Sequence, residues 1–246
     1  MDDGNIVSKF YETDKIYLEE REKLSEKYGK RDLWKVIDPW GLYVGISNLS
    51  IKLSIADLLR STLDVPGDIA EFGTWRGDNL MFMSKIMKIY DPYGSKRLHG
   101  FDSFEGLTEF APEDKIAPDS VKGLYKGSYD ELMDFISLYN MKNDIVIHKG
   151  LIEDTLPKAV EENQALSFSF VYCDTDLYKS TKVILDCLHD RLSKGGLFVF
   201  DEWNHEHFHG EGLAVREFLK EHGSKYKMHH VKHARQPNMV LEKIDF

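Results

Sequence analysis

Positive charge is scarce in this sequence. Its 246 residues hold 32 Lys and Arg against 42 Asp and Glu, a formal net charge of -10. The basic residues are interleaved with acids, and a surface that tracks phosphates needs them clustered. A nucleic-acid partner is therefore excluded from the expectation. Cysteine is nearly absent as well. Cys173 and Cys187 both sit in apolar segments, where they read as small buried hydrophobes rather than a disulfide framework, which fits a reducing compartment. No apolar run is long enough to cross a bilayer, and the opening M-D-D-G-N-I-V-S-K-F has no apolar stretch of the signal-peptide kind. A cytoplasmic protein with no membrane partner is expected. Repeats and low-complexity tracts are missing too. The remaining composition, 42% hydrophobic and 30% charged, is that of an ordinary globular chain.

Length and pattern suggest a single domain over 1–246, with an N-terminal helical cap (1–63) and an α/β core (64–246). Leu42, Ile46, Leu49, Leu53, Ala56 and Leu59 recur at spacings of three and four, which predicts an amphipathic helix over about 41–63 with that stripe facing inward. Pro66-Gly67 ends it. Short apolar runs at 68–72, 97–101, 144–148, 167–173 and 197–200 then alternate with helical patterns at 78–90, 129–140, 154–163, 178–192 and 212–222. In the fourth of these helices Val183, Ile184, Cys187, Leu188 and Leu192 mark one face. Alternation of this kind predicts a parallel sheet covered on both sides. The segments 226–232 and 238–243, with no helix between them, predict a closing antiparallel hairpin. The expected fold class is α/β, a Rossmann-like seven-stranded methyltransferase sheet, mostly parallel. Residues 103–128 show no periodicity and read as a long functional loop.

In an open α/β sheet, ligands bind at the carboxyl ends of strands near the point where strand order reverses. The first strand here runs into E-F-G-T-W-R-G and the second into F-D-S-F-E-G-L. Gly73 and Gly77 permit a tight turn and close backbone approach. Their G-x-x-x-G spacing lacks the G-x-G-x-x-G that cradles a pyrophosphate, which favours S-adenosylmethionine over a nicotinamide. Asp102, at the end of the second strand, suits both ribose hydroxyls, and Glu71 suits the cationic amino acid moiety or sulfonium. Thr74, Arg76, Ser103, Gly150, Ile152 and Asp174 complete the candidate cofactor set, Gly150 and Ile152 against the adenine.

The fourth strand ends in V-Y-C-D-T-D-L-Y-K-S-T and the fifth in F-V-F-D-E-W-N. Residues two apart in an extended chain share a side, so Asp174 and Asp176 are expected to project together with Thr175 opposite. Were these two strands neighbours, Asp174, Asp201 and Glu202 would meet at one rim. Carboxylates that close raise one another's pKa unless a cation lies among them. An oxygen-only set suits Mg²⁺, with Ca²⁺ or Mn²⁺ as alternatives, and not zinc. The expectation is Asp174, Asp201 and Glu202 as metal ligands and Asp176 as catalytic general base.

The strings E-F-G-T-W-R-G, F-D-S-F-E-G-L, D-T-D-L-Y-K-S-T and G-G-L-F-V-F-D-E, in that order, resemble the macrocin O-methyltransferase (TylF-like) family over about residues 60–222. The resemblance implies a Mg²⁺-dependent enzyme methylating sugar hydroxyls of glycosylated natural products or glycans. It also implies N-terminal helices over the site and a homo-oligomer, and it supports the roles given to Asp174, Asp201, Glu202 and Asp176. Two departures stand out: Asp201-Glu202 replaces the family's Asp-Asp, and Gly77-Asp78 its Gly-Gly. The partner expected is a small-molecule or glycoside acceptor. Competing readings are a catechol-type metal-dependent O-methyltransferase, a nicotinamide-dependent oxidoreductase, and a noncatalytic ligand-binding domain. His205, His207 and His209 alternate without a recognised ligand spacing and read as a polar loop. Trp34, Trp40 and Tyr43 read as core aromatics rather than a lid over the cofactor.

Overall fold

A computed structural model of the chain describes residues 19–24, 26, 27, 29, 34–108, 110–115, 121–204, 208–232, 234 and 236–245, with the side chains of Trp34 and Val36 outside that set. After two one-turn helices, Trp34–Ile37 and Trp40–Tyr43, the main elements alternate. They are α1 (Ile46–Ser61), β1 (Asp68–Phe72), α2 (Asp78–Tyr90), β2 (Leu98–Asp102), α3 (Tyr129–Leu138) and β3 (Ile145–Lys149). Then come α4 (Ile152–Glu162), β4 (Phe168–Cys173), α5 (Tyr178–Leu188), β5 (Leu192–Phe200), α6 (Gly210–His222), β6 (Tyr226–His230) and β7 (Met239–Lys243).

The seven strands form one sheet in the order β3-β2-β1-β4-β5-β7-β6. β7 runs antiparallel to both β5 and β6, while β1 to β5 pair in parallel. The fold is the expected seven-stranded methyltransferase sheet. Its apolar strands alternate sides, as period-2 geometry requires. Ala70, Phe72, Val171, Cys173, Phe198 and Phe200 face one layer with α4, α5 and α6, and Ile69, Phe170, Leu197 and Val199 face the other with α1, α2 and α3. Strand order reverses between β1 and β4, so the carboxyl ends of these neighbours flank the ligand-binding crevice of such sheets. No helix among the described residues is long and apolar enough to cross a membrane.

Three expectations need correction. The expected stripe holds only in part: Leu59 is fully buried and Leu49 and Ala56 are half-buried, but Ile46 is 87% exposed, Leu53 lies outside and Leu42, in the helix before α1, is 77% exposed, while Ile55, with Ile51 and Leu58 beside it, faces the core instead. Apolar residues line both sides of this helix, so spacing alone did not say which side met the sheet. Trp40 and Tyr43 are likewise exposed rather than core. Leu192, expected on a helix, is the first residue of β5. Helix α5 ends at Leu188, and an irregularity in the β4–β5 register lies alongside Gly195, whose φ is +82°. The Ser193–Gly196 stretch is a break within one strand, a use of glycine that resembles a strand start when read in sequence.

Candidate active site

Gly73, directly after β1, holds a left-handed backbone (φ +86°), and a Cβ there would fall 1.7 Å from the carbonyl oxygen of Asp174. Only glycine allows the ends of β1 and β4 to close on each other at this point. The turn continues with Gly77, also left-handed, whose missing side chain leaves room for Leu132 of α3. Next door, Asp102 ends β2 and fixes this corner through main-chain donors. Its Oδ2 accepts from Trp75 N–H at 2.6 Å and its Oδ1 from Phe104 N–H at 2.5 Å. Burial pushes the Asp102 carboxyl above the usual carboxylate range, and those N–H groups oppose the shift.

A cleft of about 310 Å³ opens here, within the range of small-molecule sites. Of the residues singled out in the sequence, Gly73, Asp102, Ser103, Ile152, Asp174, Asp176, Asp201 and Glu202 line it together. Glu71, Thr74, Arg76, Gly77 and Gly150 do not. Glu71 and Thr74 are buried beneath the turn, Arg76 points outward with its guanidinium 6.0 Å from the Trp75 ring, and Gly150 donates its N–H to the Asp102 carbonyl. Burial holds Glu71 well above the usual carboxylate range, and the nearest compensating charge is Lys52 of α1. Glu71 lies buried beneath the turn and does not line the cleft.

The opposite wall carries the carboxylates. β4 and β5 are neighbours with Cys173 beside Phe200, which brings Asp174, Asp176, Asp201 and Glu202 to one side of the cleft. The chain past β4 is not extended, however. Leu177 N–H bonds the Thr175 carbonyl at 2.6 Å and Asp176 has φ +61°. Thr175 therefore does not face opposite; it lines the same cleft, and its hydroxyl pairs with Thr181 at 2.9 Å. A turn, not strand alternation, aims Asp176. Three of the six described non-glycine residues with positive φ (Trp75, Tyr125 and Asp176) line this cleft, and such backbone strain concentrates at functional sites.

The carboxylates are crowded. Burial, then the charges of Asp201 and Asp176, hold Asp174 well above the usual range. Burial and then Asp201 push Asp176 up to about 7. Burial pushes Asp201 up to about 6, opposed by the Tyr172 hydroxyl that donates to it at 2.5 Å. No Lys or Arg pairs with Asp174, Asp176 or Asp201 among the described residues. Chemically the donor set fits a hard divalent cation: oxygen only, buried, and mutually repelling without one. Its geometry is looser than expected. Among the described residues no three acidic, His or Cys side chains form a ready-made cage. Asp201 accepts from the Tyr172 hydroxyl and Glu202 from the Gln236 amide.

Several residues of this region had no legible signal. Trp75, Tyr125, Glu153, Ser180 and Gln236 also line the cleft. Asp114, within the 103–128 segment read as a long functional loop, is a fully buried carboxylate. Asp114 accepts from Ala111 N–H and, across 64 residues, from Tyr178 N–H at the start of α5, both at 2.7 Å. Leu107, Leu177 and Phe208 bury a small apolar cluster beside it. His209 precedes α6 without a capping hydrogen bond from its side chain, and His205 and His207 lie outside the described residues.

The profile of the macrocin O-methyltransferase (TylF) family matches residues 51–235. The chain belongs to that family. Among curated relatives it is 30% identical, over 145 residues, to a tetracenomycin-C 4'-O-methyltransferase of Streptomyces olivaceus acting on a dimethoxy-rhamnosyl compound (56% of this chain, 54% of that one). It is 31% identical, over 150 residues, to mycinamicin III 3''-O-methyltransferase of Micromonospora griseorubida (56% of each). The alignments thus span little more than half of these relatives. In three dimensions the chain superposes on the calicheamicin methyltransferase CalS11 with a TM-score of 0.74 and 24% identity, covering 94% of this chain and 92% of the other, which bears on the fold. The family match includes β1, β4, β5 and all the cleft carboxylates.

Proposed function

We propose that the protein is an S-adenosylmethionine- and Mg²⁺-dependent O-methyltransferase acting on a sugar hydroxyl of a glycosylated natural product or glycan. The observation that carries this reading is one cleft that joins the Gly73–Asp102 corner to the four carboxylates after β4 and β5. On this reading Gly73 gives the cofactor close backbone approach and Asp102 accepts the ribose hydroxyls with the lone pairs its two N–H partners leave open. Held there, S-adenosylmethionine would supply an electrophilic methyl group for transfer to the acceptor oxygen. Asp174, Asp201 and Glu202 would hold the cation, whose positive charge makes a nearby hydroxyl easier to deprotonate. Asp176 takes the hydroxyl proton, a role its place in the same cleft beside the ligating acids suits. Relatives named for the O-methylation of a rhamnosyl tetracenomycin and of mycinamicin III support the acceptor class.

The same reading includes a homo-oligomer and a cytoplasmic setting. The outward apolar residues of the N-terminal segment, Leu42, Tyr43, Ile46 and Leu53 among them, support the first, and two unpaired cysteines support the second. The deciding measurement is calorimetry with S-adenosylhomocysteine, with and without Mg²⁺, beside methyl-transfer rates on rhamnosides and catechols. Binding of the homocysteine product and EDTA-sensitive transfer to rhamnosides are expected. Transfer to catechols alone would move the acceptor to the aromatic class, and full activity in EDTA would remove the metal.

A further inference from the structure

Glu202 follows Asp201 directly after β5 and lines the cleft with it. It is also braced at both ends. Its backbone N–H donates to Glu211 Oε1 at 2.7 Å, and its own Oε1 accepts from Gln236 Nε2. Glu211 is a fully buried carboxylate at the start of α6, and its other oxygen, Oε2, has no partner among the described residues. Next to it, Gly212 admits the carbonyl of Trp203, which a Cβ would approach to 2.3 Å, so the start of α6 packs directly on the turn after β5. A buried carboxylate is an expensive choice for accepting one amide, and an acid placed beside other acids is hard to explain by packing alone.

We propose that Glu211 and Gln236 are positioning residues that hold Glu202 at the cation site, Glu211 through the backbone and Gln236 through the side chain. The proposal rests on the metal reading above. Outer-shell partners of ligating carboxylates orient them, and losing one typically weakens metal binding about 10–100-fold. The two residues come from different elements, so the brace couples α6 and the segment before β7 to the end of β5.

The test compares wild type, Glu211→Gln, Glu211→Ala and Gln236→Ala, each loaded with S-adenosylhomocysteine. Mg²⁺ affinity is measured by calorimetry and amide exchange by mass spectrometry on the peptide holding residues 201–204. Glu211→Ala should weaken Mg²⁺ binding by roughly tenfold or more and speed exchange at Glu202. Glu211→Gln should stay near wild type in both, because its amide oxygen still accepts the N–H. Gln236→Ala should weaken Mg²⁺ without changing exchange, and it keeps the proposal testable if Glu211→Ala does not fold. Wild-type Mg²⁺ affinity in both alanine variants, or unchanged exchange in a folded Glu211→Ala, overturns it. A wild-type protein that binds no Mg²⁺ overturns the metal reading instead, and the exchange data then decide separately whether Glu211 holds the turn.

Discussion

The two walls of the cleft are built on opposite principles. The wall after β1 and β2 is made of main chain: a left-handed Gly73 seated on the carbonyl of Asp174, and an Asp102 carboxylate that accepts two backbone N–H groups. The wall after β4 and β5 is made of side-chain charge: Asp174, Asp176 and Asp201 are held above their ordinary range by burial first, Tyr172 donates to Asp201, and Gln236 donates to the neighbouring Glu202. In the first wall backbone donors meet the Asp102 carboxylate, whereas in the second acid lies against acid. Changes on the first should therefore disturb binding and folding together, and changes on the second should disturb chemistry while sparing the fold.

The sharpest separation is expected from Asp176→Asn. The amide is close in size, so cofactor and Mg²⁺ binding should survive by calorimetry, while it accepts no proton. Methyl transfer to one fixed glycoside should fall by about 10²–10⁴-fold, the usual contribution of general-base catalysis. Loss of Mg²⁺ affinity with an intact rate at saturating metal would exchange the roles of Asp176 and Asp174.

On the other wall, Asp102→Ala should weaken S-adenosylhomocysteine binding by roughly 10–100-fold, as expected for losing hydrogen bonds to a charged group. It should also lower stability to denaturant, because Trp75 and Phe104 N–H lose their acceptor. Weakened binding with unchanged stability would show that the corner does not depend on this carboxylate and would blur the contrast between the walls.

The smallest effect concerns pH. Asp176 and Asp201 are raised from 3.8 to about 7 and about 6, so between pH 4 and 7 the folded protein holds protons that the unfolded chain has released. Metal-free stability should accordingly fall as pH rises through that window. Each such proton amounts to about 1.4 kcal/mol per pH unit, enough to move Tm by several degrees across the window. Mg²⁺ should restore Tm more at pH 7.5 than at pH 5. A metal-free Tm that climbs over the same range would mean the carboxylates do not repel as described.

Much of this was legible in advance where local pattern and chemistry coincide. Residues 68–72 and 78–90 were bounded as strand and helix at the same residues that the fold shows, because an apolar strand followed by glycine and a helix leaves few alternatives. The acids after β4 and β5 were visible because acids at consecutive strand ends are unusual in number, and the parallel sheet brings such ends together. Asp114 was not visible. Its partner Tyr178 lies 64 residues away, and no local periodicity records such a bond. Glu211 and Gln236 stayed hidden for the same reason, since each matters only through contact with Glu202.

Sequence alone thus determined the alternation of elements, the seven-stranded sheet and the residue types at the strand ends, since periodicity and turn chemistry are properties of neighbours in the chain. Tertiary structure decided which side of α1 faces the sheet, that a left-handed turn rather than strand alternation aims Asp176, and which buried groups meet the backbone of Tyr178 and Glu202. Each of these depends on what a side chain meets across the fold, and a distant hydrogen bond or a second apolar side leaves no period in the sequence to read.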